Sequence, residues 1–200
     1  MPENCSARRK PKTVRLRVEP GAFFTFAALL LFLKEGELIP VIAALAVHEA
    51  GHLAAICACG LRPVSLIAGT GGLIICYRDG DYKKDAVAAL AGPALSLLAA
   101  LCASTLRASR FFAGLNAAFA AFNLIPISGL DGGRAMSALL SMRCSADTVR
   151  KTALVSDALC LSMLFYLGAY AVLRHSNYTF LVSAVYLCIM CCKNQKAVVK

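Results

Sequence analysis

Residues 38–59 read LIPVIAALAVHEAGHLAAICAC, and within them Val47-His48-Glu49-Ala50-Gly51-His52-Leu53 sets two imidazoles and a carboxylate in the middle of an apolar run. Groups of this kind are costly away from water unless they are paired or bind an ion. On an α-helix residues i and i+4 share a face, so His48 and His52 point toward one ion while Glu49 sits beside them. The spacing is H-E-x-x-H, in which two His ligate zinc and the Glu serves as general base for water. The competing reading is a polar pair that packs one helix on another.

Composition selects the solvent around this helix. The 200 residues are 59% hydrophobic with a mean hydropathy of +0.68, and the apolar residues come in long runs rather than stripes. That pattern predicts an all-α polytopic membrane protein with the lipid bilayer as a partner. The net charge of +10 does not indicate nucleic acid, because the basic residues lie between apolar runs and Trp is absent. Ten Cys lack regular spacing, and Cys102, Cys160, Cys188 and Cys191 fall inside apolar segments, where they act as small hydrophobes. Cys57-x-Cys59 is a faint metal or redox signal without a partner pair.

Outward from the motif, the chain divides into a basic cytoplasmic arm at residues 1–20, a six-span membrane domain at 21–192 and a basic cytoplasmic tail at 193–200. Residues 21–33 make a short first span of about 20 Å, and residues 38–59 a second of about 33 Å. Residues 61–77, with Pro63, Gly69, Gly71 and Gly72, suit a re-entrant hairpin or loop between helices 2 and 3. Residues 86–106 form a third span in which Ala91-Gly92-Pro93-Ala94 permits close helix approach and a kink. Residues 111–125 give only about 22 Å before Pro126, so helix 4 is broken inside the membrane. Ile127-Ser128-Gly129-Leu130-Asp131-Gly132-Gly133-Arg134 is turn-rich, and residues 134–142 form a short returning helix. Residues 152–173 and 178–192 supply the fifth and sixth spans.

With six spans, 17 of the 21 Lys and Arg fall on the side of the two termini, which places both termini in the cytoplasm. The second and fourth spans then run inward in parallel, and Asp131 reaches a depth similar to that of the His pair. Two His and one carboxylate leave a fourth position for water, the arrangement of a catalytic site with one Zn2+. Activity then falls in acid as the ligands protonate. Asn123, just before the break, either bonds substrate backbone, holds the loop or packs helices together. Asp157 shows no ionic partner and is placed near the interface, and His175 beside Arg174 is read as an outer-loop residue without a ligand role.

His48-Glu49-Ala50-Gly51-His52 on one span and Asn123-Leu124-Ile125-Pro126-Ile127-Ser128-Gly129-Leu130-Asp131-Gly132-Gly133 on a later one resemble the paired signatures of the site-2 protease family of intramembrane zinc proteases. The layout resembles its bacterial sporulation branch, which processes a membrane-tethered pro-sigma factor. The resemblance implies that His48, His52 and Asp131 bind zinc, that Glu49 is the general base, and that 21–192 is a protease domain. It also implies supporting or substrate-binding roles for Asn123, Pro126, Gly92 and Pro93. Ala91-Gly92-Pro93 looks like a family element, with Ser96 where many members have Asn. No nucleotide-sensing domain is expected after the sixth span, which departs from the pattern. The implied partners are a membrane-tethered protein substrate and, as candidates, membrane regulators. The alternatives are an inactive membrane scaffold and a metal transporter using the same ligands.

Overall fold

The computed structural model of the chain describes residues 15–18, 34, 36–69, 72–78, 81–106, 109–175 and 178–198. They belong to two compact units, residues 4–122 and residues 123–200. The first holds β1 (Arg15–Val18), α1 (Leu38–Ala58), β2 (Arg62–Gly69), β3 (Gly72–Arg78), α2 (Tyr82–Thr105) and, except for its last residue, α3 (Arg110–Asn123). The second holds α4 (Asp131–Ser141), α5 (Ala146–His175) and α6 (Thr179–Val198).

In α1 the buried residues Val41, Ala44, His48, Gly51, His52 and Ile56 recur at helical spacing, while Ile39, Ile42 and Leu45 face outward. The helix ends where the chain turns left-handed at Gly60, with φ at 68°. The Gly60 amide donates to the Cys57 carbonyl at 3.0 Å and the Leu61 amide to the Ile56 carbonyl at 2.9 Å. This is a Schellman closure, and its usual apolar contact is present: Ile56 and Leu61 are packed with Ala88 of α2. The sequence thus stops α1 and docks its end on α2 with the same few residues.

α2 opens on Asp81, which has extended backbone and accepts the Lys83 amide at 3.0 Å. Its buried face is built from Ala86, Ala88, Ala89, Gly92, Pro93, Ser96, Ala100 and Ala103, whereas Leu90, Leu97, Leu98 and Leu101 point away from the protein. Small residues inside and large ones outside is the packing of helices in lipid, where burying Leu gains little and close backbone approach gains dispersion contacts. Three described helices are long and apolar enough to cross a membrane, α1, α2 and α5, and residues 181–192 of α6 form a shorter apolar helix. The fold is therefore a helical membrane fold. The expected first span, residues 21–33, lies outside the described residues.

The hairpin expected between the second and third spans is present. β2 and β3 pair antiparallel with Gly69 opposite Gly72, and the register shifts between Pro63 and Ser65. Proline has no N–H to give to a ladder, so an irregularity is the tolerated place for it. Arg15–Val18, within the basic arm, forms a strand that sequence reading did not expect; it runs parallel to β2, with Arg15 opposite Ser65 and Val18 opposite Ala68. Charged and apolar residues alternate there, which fits the two faces of a strand, and pairing satisfies the open edge of β2.

In the second unit the helix after the break starts at Asp131, earlier than the residue 134 expected from the turn-rich composition. Gly132 and Gly133 are tolerated in its first turn because a Cβ on Gly132 would strike the Leu124 and Ile125 carbonyls, and one on Gly133 the Ile127 carbonyl. Close packing outweighs the low helix propensity of glycine. α5 begins before the expected span with an exposed turn in which Asp147 pairs with Arg150 at 3.3 Å and Lys151 at 2.8 Å. It packs against α6, where Gly168 leaves room for Leu181.

The left-handed Gly60 yields a stability prediction. Gly60→Ala should lower the folding free energy by about 1–2 kcal/mol, and Gly60→Asn by less. Thermal unfolding of the detergent-solubilised protein measures the order; equal melting temperatures for wild type and Gly60→Ala would mean that the Schellman closure does not limit stability.

Candidate metal centre

His48 and His52 lie on the buried face of α1, about two turns before the Schellman end. His48 and His52 are 5% and 7% exposed, so neither imidazole relies on bulk water. Their Nε2 atoms lie 3.2 Å apart, with the rings edge to face at a centroid distance of 4.9 Å. Two nitrogens bound to one tetrahedral zinc at about 2.0–2.1 Å would stand about 3.3 Å apart, so the pair already has ligand spacing.

Each ring is held by its other nitrogen. His52 Nδ1 lies 2.7 Å from the Ala88 carbonyl oxygen, and because a carbonyl only accepts, Nδ1 donates and the lone pair of the neutral ring is at Nε2, the side turned to His48. His48 Nδ1 is 3.1 Å from Ser96 Oγ, a hydroxyl that is fully buried and that accepts when His48 adopts the same tautomer. Both contacts are the outer-shell support that ligating imidazoles normally have. A polar pair used only for packing has no need of both rings turned to one point.

Gly51 and Gly92 make the support reachable. A Cβ on Gly51 would stand 2.5 Å from the Ala91 carbonyl oxygen, and one on Gly92 would overlap the His52 ring. Pro93 and Ser96 are both fully buried beside them on α2. Glu49 is half-buried on the neighbouring position of α1. The donor set, two buried imidazoles with a carboxylate next to them, fits a borderline-soft cation such as zinc.

The remaining sequence-expected residues belong to the second unit. Asn123 is the last residue of α3 and Pro126 lies in the non-helical segment that follows. Asp131 is the first residue of α4, 8% exposed, and its Oδ1 is 3.6 Å from Arg134 one turn on. A carboxylate in the first turn also complements the helix dipole. Asp157 is only 4% exposed and accepts two bonds from Ser128, which differs from the interfacial position expected for it. Cys57 and Cys59, the faint second signal, are free thiols on the last turn of α1, exposed and half-buried respectively. The Ala88 carbonyl escaped sequence reading because a backbone acceptor has no signature. Ser96 stood out only through the resemblance.

The site-2 protease from Methanocaldococcus jannaschii has the same fold, with a TM-score of 0.66 over 90% of this chain and 89% of that one, at 15% sequence identity. No protein-family model and no curated protein matches the chain at the level of sequence.

If Ser96 orients His48, Ser96→Ala should weaken zinc binding by about 10–100-fold, and Ser96→Asn, which keeps a side-chain acceptor, by less. Chelator competition on the purified protein measures this. An unchanged dissociation constant in Ser96→Ala would show that the hydroxyl is packing alone.

Proposed function

We propose that the chain is an intramembrane zinc endopeptidase that hydrolyses a peptide bond in or next to a transmembrane segment of a membrane-tethered protein. The observation that carries this reading is the convergence of His48 and His52 Nε2 at 3.2 Å on an apolar helix that also carries Glu49. The fold shared with a solved site-2 protease supports the same class. We assign Asp131 as the third ligand of one Zn2+, with His48 and His52 as the other two, a donor set of the kind that holds a catalytic zinc. Ligation needs each imidazole to present its lone pair at Nε2, the tautomer that the Ala88 carbonyl selects for His52 and that the Ser96 hydroxyl can accept from His48.

When bound, zinc supplies Lewis acidity to a water and to the scissile carbonyl. Glu49 takes the proton of the attacking water and returns it to the departing amine. Ala88 and Ser96 keep the two imidazoles from rotating while charge builds at the site. Asn123 and Pro126 are assigned to holding the broken end of α3 and to contacting substrate backbone, and Gly92 and Pro93 to the close approach behind His52. In the assigned topology the chain crosses the membrane six times with both termini cytoplasmic, and the cut falls toward the cytoplasmic side. A membrane-tethered pro-sigma factor of sporulation is the candidate substrate that the family resemblance supplies.

Glu49→Gln separates hydrolysis from binding. Zinc content should stay at the wild-type level while cleavage of a co-expressed membrane substrate drops by about 10²–10⁴-fold. Cleavage that persists in Glu49→Gln would sink the assigned chemistry, and metal flux into liposomes that survives the substitution would favour transport. Asp131→Ala should lose zinc; full occupancy in that variant would remove Asp131 from the site.

A further inference from the structure

The second unit contains a buried carboxylate that the proposed chemistry does not use. Asp157 lies on α5, is 4% exposed, and faces the non-helical segment at residues 124–130. Its Oδ1 accepts the Ser128 amide at 2.8 Å and its Oδ2 the Ser128 hydroxyl at 2.8 Å. The neighbouring Ser156 hydroxyl donates to the Pro126 carbonyl at 2.6 Å. Two successive residues of one helix therefore grip two points of one loop, one through an acceptor and one through a donor.

The bonds to α5 meet a need of that loop. Non-helical backbone at membrane depth has no water to bond and must be satisfied by protein. Within the loop the Ile127 amide donates to the Ile125 carbonyl and the Leu130 amide to the Ile127 carbonyl, both at 2.8 Å. The Ser128 amide and the Pro126 carbonyl are the groups that α5 takes up. Immediately afterwards comes Asp131, with Gly132 and Gly133 pressed on the carbonyls of Leu124, Ile125 and Ile127. Loop and first turn of α4 are thus one packed body, so displacement of Ser128 moves the start of the helix.

We propose that Asp157 is a positioning residue: through its paired bonds to Ser128 it fixes the 126–130 loop and so the direction in which the Asp131 carboxylate is presented to the metal. The inference rests on the reading of Asp131 as a zinc ligand. Asn at position 157 would keep both bonds, its Oδ1 accepting the Ser128 amide and its Nδ2 donating to the hydroxyl oxygen, so charge and geometry are separable by substitution.

The test uses the full chain in detergent, loaded with Co2+ in place of Zn2+ so that the visible spectrum reports ligand geometry, and with Zn2+ for affinity. Asp157→Ala should alter the Co2+ bands and weaken zinc binding about tenfold, Asp157→Asn should restore both, and Ser128→Ala should shift both in the same direction by a smaller amount. Asp131→Ala is run beside them. If Asp131→Ala leaves spectrum and affinity unchanged, the ligand assignment has failed and this inference falls with it. If Asp131→Ala changes them while folded Asp157→Ala and Ser128→Ala do not, only the positioning role is overturned. A fall in melting temperature without any spectral change would mark Asp157 as a structural contact. Should Asp157→Ala fail to fold, Ser128→Ala and Asp157→Asn decide, with unshifted bands in Ser128→Ala counting against the proposal.

Discussion

The hydrogen bond from His52 Nδ1 to the Ala88 carbonyl, at 2.7 Å, is the constraint on which the first unit depends. A side chain as short as histidine meets the backbone of a neighbouring helix only if the two helices almost touch. Gly51 gives that approach from α1 and Gly92 from α2, since a Cβ at either place would run into backbone or into the His52 ring. Ala88 contributes twice, as the acceptor for His52 and as an apolar surface for Ile56 and Leu61 at the end of α1. The Gly60 closure brings Leu61 back onto that surface. One turn of α2 therefore fixes the tautomer of His52 and the end of the helix that bears it.

The same arrangement follows from the solvent. In lipid, helices gain little by hiding Leu or Ile, so the large side chains Leu97, Leu98 and Leu101 are left facing outward and Ala, Gly and Ser fill the contacts. Buried polar groups are then few and each is specific. His48 and Ser96 meet each other; Ser128 and Asp157 meet each other. In hydrocarbon a polar group cannot fall back on water, so the positions of these pairs carry more structural information than the apolar residues around them.

That is why the sequence was legible where it was. His48, Glu49 and His52 are readable because helical spacing alone puts the two imidazoles on one face, and the structure has them on the buried face of α1. The hairpin at 62–78 was readable from Pro63 and the paired glycines, and the broken helix from Pro126 and the short run before it. The strand Arg15–Val18 was not, because four residues dominated by charge resemble a solvated arm until a partner edge is known. Asp157 was misjudged for a related reason. Its partner, Ser128, is neutral and lies 29 positions away, so a search for an opposite charge on the same helix could not find it. Ser96 and the Ala88 carbonyl are likewise contacts between helices, set by packing rather than by local pattern.

The His pair and Asp131 are fixed by unequal means. The His pair inherits its geometry from a regular helix, in which every backbone group is already bonded, and needs only two outer contacts to set its rings. Asp131 starts a helix after seven non-helical residues, so its place has to be determined by whatever holds those residues. The structure meets that need with side chains of α5, Ser156 and Asp157, and with two glycines that let α4 press on the loop carbonyls. A loop in hydrocarbon carries unsatisfied donors and acceptors, and each one is a point by which a neighbouring helix can hold it. The break that interrupts α3 therefore also supplies the handles that make the following carboxylate rigid.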